Sequence, residues 1–198
     1  MCDDIPCGAR YSLFDMTTYL ALLRGINVGG NNVIRMADLR AFLAERGFDG
    51  VRTYIQSGNV IWNDAAATED EARSRIGNAL SDLLANEVTS VVLSAERLAA
   101  IVAGAPTGFG GDPDAFRYDV MFLMPELDAQ AVAADLPVRE GVDTAVAGDG
   151  AVFFTRRIDA ASRSYMPKIV GTPIYRQMTI RNWNTTTRLL GMVDGRNS

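Results

Sequence analysis

The sequence contains no histidine, only two cysteines, and one lysine among its 19 basic residues. Each scarcity removes a class of chemistry. Without imidazole there is no Ser-His-Asp or Cys-His activation of a nucleophile and no histidine-ligated metal. Acid–base work would fall to Asp, Glu, Tyr, Arg or the single Lys168. Cys2 and Cys7 form an isolated C-x4-C pair, with no further thiol or imidazole to complete a zinc site. Both precede the first strand signal, so the fold needs no disulfide and a reducing cytoplasm is the natural setting. No apolar run reaches the roughly 18 residues of a membrane-spanning helix. The opening segment carries Asp3 and Asp4 and lacks the apolar stretch of a secretory leader. Neither a metal nor a cofactor is expected.

What remains is ordinary globular material. Of 198 residues, 48% are hydrophobic and 22% charged, enough to bury a real core. The net charge of −5 hides an asymmetry. From Gly150 onward, eight basic residues (Arg156, Arg157, Arg163, Lys168, Arg176, Arg181, Arg188, Arg196) face only Asp159 and Asp194, a local charge of +6. Such a segment suits an anion or a nucleic acid, or else docks onto the acidic part of its own chain.

The periodicities alternate between strand and helix. Thr18–Gly25 is an apolar run that ends at glycine and reads as a buried strand. Met36, Leu39 and Leu43 recur at helical spacing before Gly47, a C-terminal stop. Val51–Gln56 and Val60–Trp62 are strands around a Ser57-Gly58-Asn59 turn. Thr68 and Glu71 form a capping box for a helix with Ile76, Leu80, Leu83 and Leu84 on its apolar face. Val88–Leu93 is a strand, and Ser94 caps a short helix.

The order then repeats. Tyr118–Met124 is a strand and Leu127–Leu136 a helix stopped by Pro137. Val142–Ala147 and Ala151–Thr155 form a hairpin through Gly148-Asp149-Gly150. A helix over Ala160–Ile169 is interrupted near Pro167, Tyr175–Ile180 is a strand, and Asn182 caps a terminal helix. The expected fold is α+β, with two tandem ferredoxin-like (βαββαβ) halves in a duplicated arrangement. Residues 1–16 read as a disordered tail, 17–104 as the first half, 105–116 as a Gly/Pro linker, and 117–198 as the second half with a C-terminal helix. Met16 is the expected functional start.

Three polar motifs are candidates for a site. Arg24-Gly25-Ile26-Asn27-Val28-Gly29-Gly30-Asn31-Asn32 runs from strand to helix, the layout of an anion cradle of backbone N–H groups. It is neither a Walker loop nor a dinucleotide fingerprint. Tyr54-Ile55-Gln56-Ser57-Gly58-Asn59 is hairpin chemistry in which the Gln56 amide needs partners. In a βαββαβ unit these two loops emerge at the same end of the sheet, so they should be neighbours. The third motif is Thr179-Ile180-Arg181-Asn182-Trp183-Asn184-Thr185. It reads either as a helix cap with an anchoring tryptophan or as a recognition cluster, with Arg181 on an anionic or carbonyl group and Trp183 stacked on a ring. A basic stretch, Ser162–Lys168, with Tyr175 and Arg176, could face a phosphate backbone. Asp and Glu read as scattered surface charge, and no general base stands out.

Together, LLRGINVGGNN, YIQSGN and TIRNWNT resemble a bacterial family known as domain of unknown function 1697, over Thr17 to about Val193. The resemblance implies an intracellular α+β protein with duplicated ferredoxin-like halves and names no reaction. It also implies a shared surface of Arg24, Gly25, Asn27, Gly29, Gly30, Gln56, Ser57, Gly58, Asn59, Arg181, Asn182, Trp183 and Asn184. Asn31, Asn32 and Arg35 stand where lysines are common in similar proteins, and Ser162–Lys168 keeps one lysine.

The expected function is a binding module for a phosphate-bearing small molecule or a single-stranded nucleic acid, with no membrane partner. The alternatives are a structural or protein-interaction domain and a metal-independent small-molecule enzyme. In the structural case Arg181 and Asn59 would be buried and satisfied by neighbouring backbone.

Overall fold

The computed structural model describes residues 16–27, 33–66, 68–84 and 88–195. The cysteines, almost all of the expected tail, and Gly29, Gly30, Asn31 and Asn32 lie outside the described residues. The first part of the chain forms β1 (Thr17–Leu23), α1 (Met36–Glu45), β2 (Asp49–Tyr54), β3 (Asn59–Asp64), α2 (Glu69–Leu83), β4 (Ser90–Ser94) and α3 (Ala95–Ala103). The second forms β5 (Phe116–Leu123), α4 (Ala129–Asp135), β6 (Asp143–Ala147), β7 (Ala151–Arg157), α5 (Met166–Val170), β8 (Met178–Asn182) and α6 (Trp183–Val193). Short 3-10 helices at Ala161–Arg163 and Ile174–Gln177 flank α5. Among the described residues no helix is long and apolar enough to cross a membrane.

This is a mixed α+β fold with two four-stranded antiparallel sheets. Their strand orders are β2-β3-β1-β4 and β6-β7-β5-β8. The second order is the first with every strand advanced by four, as a duplication would produce.

Local chemistry sets the ends of the helices. Thr68 Oγ1 accepts from the Glu71 N–H at 3.2 Å, and Glu71 Oε2 accepts in return from the Thr68 N–H at 3.1 Å. Ser94 caps α3 and Asn182 caps α6, each through its side-chain oxygen. Several boundaries differ from the periodicity, β2 among them, which ends at Tyr54 instead of Gln56, and three of the shifts have a plain local description. Asp128 accepts from the Ala131 N–H at 2.7 Å, so α4 starts after it instead of at Leu127. Pro167 lies in the first turn of α5, where its missing N–H costs nothing, so it opens that helix instead of interrupting it. Tyr175 belongs to a 3-10 turn, and β8 begins only at Met178.

Strand alternation distributes the core over three layers. Tyr19, Ala21 and Leu23 of β1 face α1 and α2, packing with Trp62, Leu39 and Ile76. Leu20 and Leu22 face the other way, toward Val120, Phe122 and Phe153 of the second sheet and the helices α3 and α6. Met121 and Leu123 of β5 turn to a third layer with Phe154, Ile169 and Met178. Strands covered on both faces are near-continuous apolar runs, which is why they were conspicuous in the sequence. The middle layer belongs to both halves. The Gly/Pro stretch contributes to it through Phe109, whose ring stands edge-on to Tyr118, Phe153 and Trp183 at 5.0–5.1 Å.

Candidate functional site

The loop after β1 and the β2–β3 turn meet, as the topology requires. Asn27 Nδ2 donates to the Gln56 carbonyl at 3.0 Å, while Asn27 Oδ1 accepts from the Ile34 N–H at 2.8 Å. One amide thus ties both ends of the glycine-rich loop to the turn. The backbone there is unusual: Gly25, Asn27, Ile55 and Gly58 all have positive φ. For a β-branched residue such as Ile55, at φ 48°, that is a strained conformation. The Leu23 N–H donates to the Gly58 carbonyl at 2.8 Å, which brings the turn against the end of β1.

Arg181 reaches this place from β8, in the other sheet. Its Nε donates to Asn59 Oδ1 at 2.6 Å, Nη1 to the Ile180 carbonyl at 2.9 Å, and Nη2 to the carbonyls of Leu23, Ser57 and Gly58 at 2.8–3.2 Å. Asn59 is fully buried and its Nδ2 donates to the Tyr54 carbonyl at 2.8 Å. The guanidinium is thus buried among neutral acceptors, with no carboxylate among its partners. Burial pushes it down to about 10, against a smaller opposing influence of Tyr175, so it stays a cation at neutral pH.

Arg24 is placed differently. Its guanidinium lies over the Tyr175 ring, 4.5 Å from the centroid, and its Nε is buried without a hydrogen-bond partner among the described residues. Arg176, the next residue after Tyr175, is exposed. Among the described residues neither arginine has an ion-pair partner within 4.0 Å.

The third motif divides. Arg181 turns to the β2–β3 turn, whereas Trp183 packs on Phe109 and against Gly110, where a Cβ would lie 2.3 Å from the indole nitrogen. Asn182 is spent on capping α6, accepting from the Thr185 N–H at 2.7 Å. Asn184 is exposed and lines, with Asn182 and Trp183, a separate cavity of about 220 Å³ beside Arg117 and Tyr118. In the fourth motif Lys168 sits over the Tyr165 ring at 3.4 Å and Arg163 is exposed. The basic segment does not neutralise itself on the first half: its ion pairs among the described residues are Arg156–Asp119 at 3.7 Å and Arg157–Asp159 at 2.6 Å. The pairs that do cross the halves, Arg73–Glu126 and Arg97–Asp149, take their arginines from the first half.

Not all carboxylates are surface charge, as the sequence had suggested. Asp64, Asp119 and Asp143 are buried. Asp64 accepts from Trp62 Nε1 and from Arg75. Asp143 Oδ2 accepts from the N–H groups of Arg139 and Tyr165, while its Oδ1 has no hydrogen-bond partner among the described residues, as is also true of Asp119 Oδ2 and Arg156 Nε. Period-two counting reveals Asp119, since it shares a strand face with Met121 and Leu123. Burial raises the Asp119 carboxyl, opposed by Arg156 and then Arg117. A carboxyl raised on folding adds stability that is present below its unfolded pKa and lost as pH rises through its folded pKa. Asp119→Asn is therefore expected to melt higher than wild type at neutral pH, with the difference shrinking in acid. Melting curves across a pH series check this, and a variant less stable at neutral pH would contradict it.

Among the described residues no cluster of three or more carboxylates or thiols is arranged to hold a metal ion. The model of a protein family of unknown function, DUF1697, matches residues 16–153. The chain belongs to this family. The DUF1697 match ends inside β7, so Arg181 and the third motif lie beyond it. Similarity of fold continues further. The structure of the conserved bacterial protein SP0830 from Streptococcus pneumoniae superposes with a TM-score of 0.78 at 28% identity, covering 90% of this chain and 99% of that one. No curated protein matches this DUF1697 chain.

Proposed function

We propose that the chain is a binding module for a phosphate-bearing ligand, with its cation supplied by Arg24 and its frame supplied by the Arg181 network. The observation that carries this reading is the Arg24 guanidinium: a buried Nε and a face covered by Tyr175, with no hydrogen-bond partner for Nε and no neutralising carboxylate among the described residues. An unpaired donor in a partly desolvated place is costly unless something binds it. Arg176, which follows Tyr175 in the chain and is exposed, has no ion-pair partner among the described residues and adds a second positive charge to this segment. The glycine-rich loop that begins at Arg24 would add backbone N–H groups. Arg181 cannot serve as the ligand's cation, because its donors are already on carbonyls and Asn59. We further propose that each half is ferredoxin-like, which the element order βαββαβ and the strand order β2-β3-β1-β4 support.

Thermal-shift and filter-binding measurements test the site with inorganic phosphate, a sugar phosphate, a nucleotide and short single-stranded RNA and DNA. A ligand at about a hundredfold its dissociation constant adds roughly 2.7 kcal/mol. The expected result is a shift with one of these classes, lost in Arg24→Ala and weakened in Arg176→Ala. Single-stranded binding that is insensitive to salt, or ligand shifts unchanged in Arg24→Ala, would sink the reading.

A second reading has its own observation. Arg181 and Asn59 are buried and satisfied largely by backbone, as expected of motifs that hold the halves together. Under it the motifs are structural, and the chain meets a protein partner elsewhere on its surface.

A further inference from the structure

A cavity of about 320 Å³ lies between the two halves, and neither Arg24 nor Arg181 lines it. That volume is within the range of small-molecule sites, and boundaries between domains are where such sites concentrate. Leu93 of β4 and Leu123, Met124 and Leu127 of the second half give it an apolar wall. One cation, Arg97, and three carboxylates, Glu69, Asp128 and Asp149, border it. Asp128 is taken up in capping α4, which leaves Arg97 and Glu69, with Asp149 as the partner of Arg97, to set the charge pattern.

Glu69 and Arg97 stand in the first turns of helices. Glu69 is the first residue of α2, and its Oε1 accepts from the Ser94 N–H at 2.7 Å and from Ser94 Oγ at 2.9 Å. That carboxylate is thereby fixed at the cavity border. Arg97 is the third residue of α3, and its guanidinium lies against Gly150, where a Cβ would come within 2.7 Å of Nη2. Its only ion-pair partner among the described residues is Asp149, from the β6–β7 turn, to which Nη1 and Nη2 both donate. The Asp149 side chain is 76% exposed. An ion pair so open to water contributes little, so another carboxylate can replace it at small cost.

We propose that this cavity binds a small zwitterion with an apolar body, the chemistry of a free aliphatic amino acid. Its carboxylate takes the Arg97 fork in place of Asp149, its ammonium faces Glu69, and its side chain lies on the Leu93–Leu123–Leu127 wall. Asp149 occupies the position of the ligand's carboxylate when the cavity is empty of ligand and swings into solvent when it is filled. The geometry favours a bidentate carboxylate, which matches the planar fork of an arginine.

Titration calorimetry on the full chain tests this, with leucine and methionine as probes and 4-methylpentanoate and isoamylamine as the one-charge controls. Binding of leucine or methionine is expected, with each one-charge control at least about tenfold weaker. Arg97→Gln is expected to lose at least about tenfold in affinity, and Glu69→Gln to remove the preference for leucine over 4-methylpentanoate. Asp149→Asn, which removes the competitor, is expected to tighten binding severalfold. A structural role for the Arg97–Asp149 pair would instead make Asp149→Asn melt lower and leave affinity unchanged or weaker. That result overturns the proposal. So does a failure of all probes to bind wild type and Asp149→Asn at millimolar concentration, or equal binding of leucine and the amine-free control. Arg24→Ala, outside this cavity, keeps its affinity for leucine if the two sites are separate.

Discussion

Replacing Arg181 by alanine is expected to destabilise the protein by about 3–5 kcal/mol, a scale set by the loss of buried charged networks. At this chain length each kcal/mol moves the melting temperature by roughly 2–4 °C, so the fall should be about 10 °C or more. The loss has two parts. Five donated hydrogen bonds disappear, and the acceptors they served, including the buried Asn59 Oδ1 and the carbonyls of Leu23 and Gly58, are left in a place water cannot easily reach. Arg181→Lys should recover little. A lysine keeps the charge and loses the planar fork that serves three chain segments together. Denaturant unfolding of the two variants beside wild type measures this. An alanine variant within about 1 kcal/mol of wild type would mean that the network is incidental.

Gly58→Ala is expected to cost about as much for an unrelated reason. Gly58 has φ +80°, and a Cβ there would lie 2.3 Å from Ile26 Cδ1 and 2.9 Å from Leu23 Cβ. The left-handed backbone costs roughly 1–2 kcal/mol for a residue with a side chain. Forcing a methyl into a filled core adds about 1–3 kcal/mol. Gly25→Ala is the control: its φ is +77°, yet a Cβ there meets no described atom within 4 Å. It should show the conformational cost alone. Equal losses at the two positions would refute packing as the difference.

How far the sequence announced this depended on the range of each interaction. The Thr68 box and the Ser94 and Asn182 caps are settled within three residues, so their signatures were readable. The meeting of the Asn27 and Gln56 loops followed from element order alone. The destination of Arg181 did not. Its partners Leu23, Ser57, Gly58 and Asn59 lie more than 120 residues away, and their carbonyls carry no side-chain signature. The same holds for Trp183, whose neighbours Phe109 and Gly110 sit in a stretch that composition alone marked as a linker. The carboxylates were misjudged because composition was counted without the strand period: Asp119 interrupts an apolar face and Asp143 supports the segment that carries Tyr165.

The middle layer also has a meaning for synthesis. Leu20, Leu22 and Ile61 are covered by Val120, Phe122, Phe153 and Leu189, all of which are made later. At the usual pace of about 5–20 residues per second, the first half leaves the ribosome on the order of ten seconds before its cover is complete. During that interval only α3, through Leu98 and Ile101, covers this sheet face, and the rest of it is open to water and to other nascent chains. Any pause in translation before β5 lengthens that exposure, so the hazard of this layer lies in the order of synthesis and not in the finished fold.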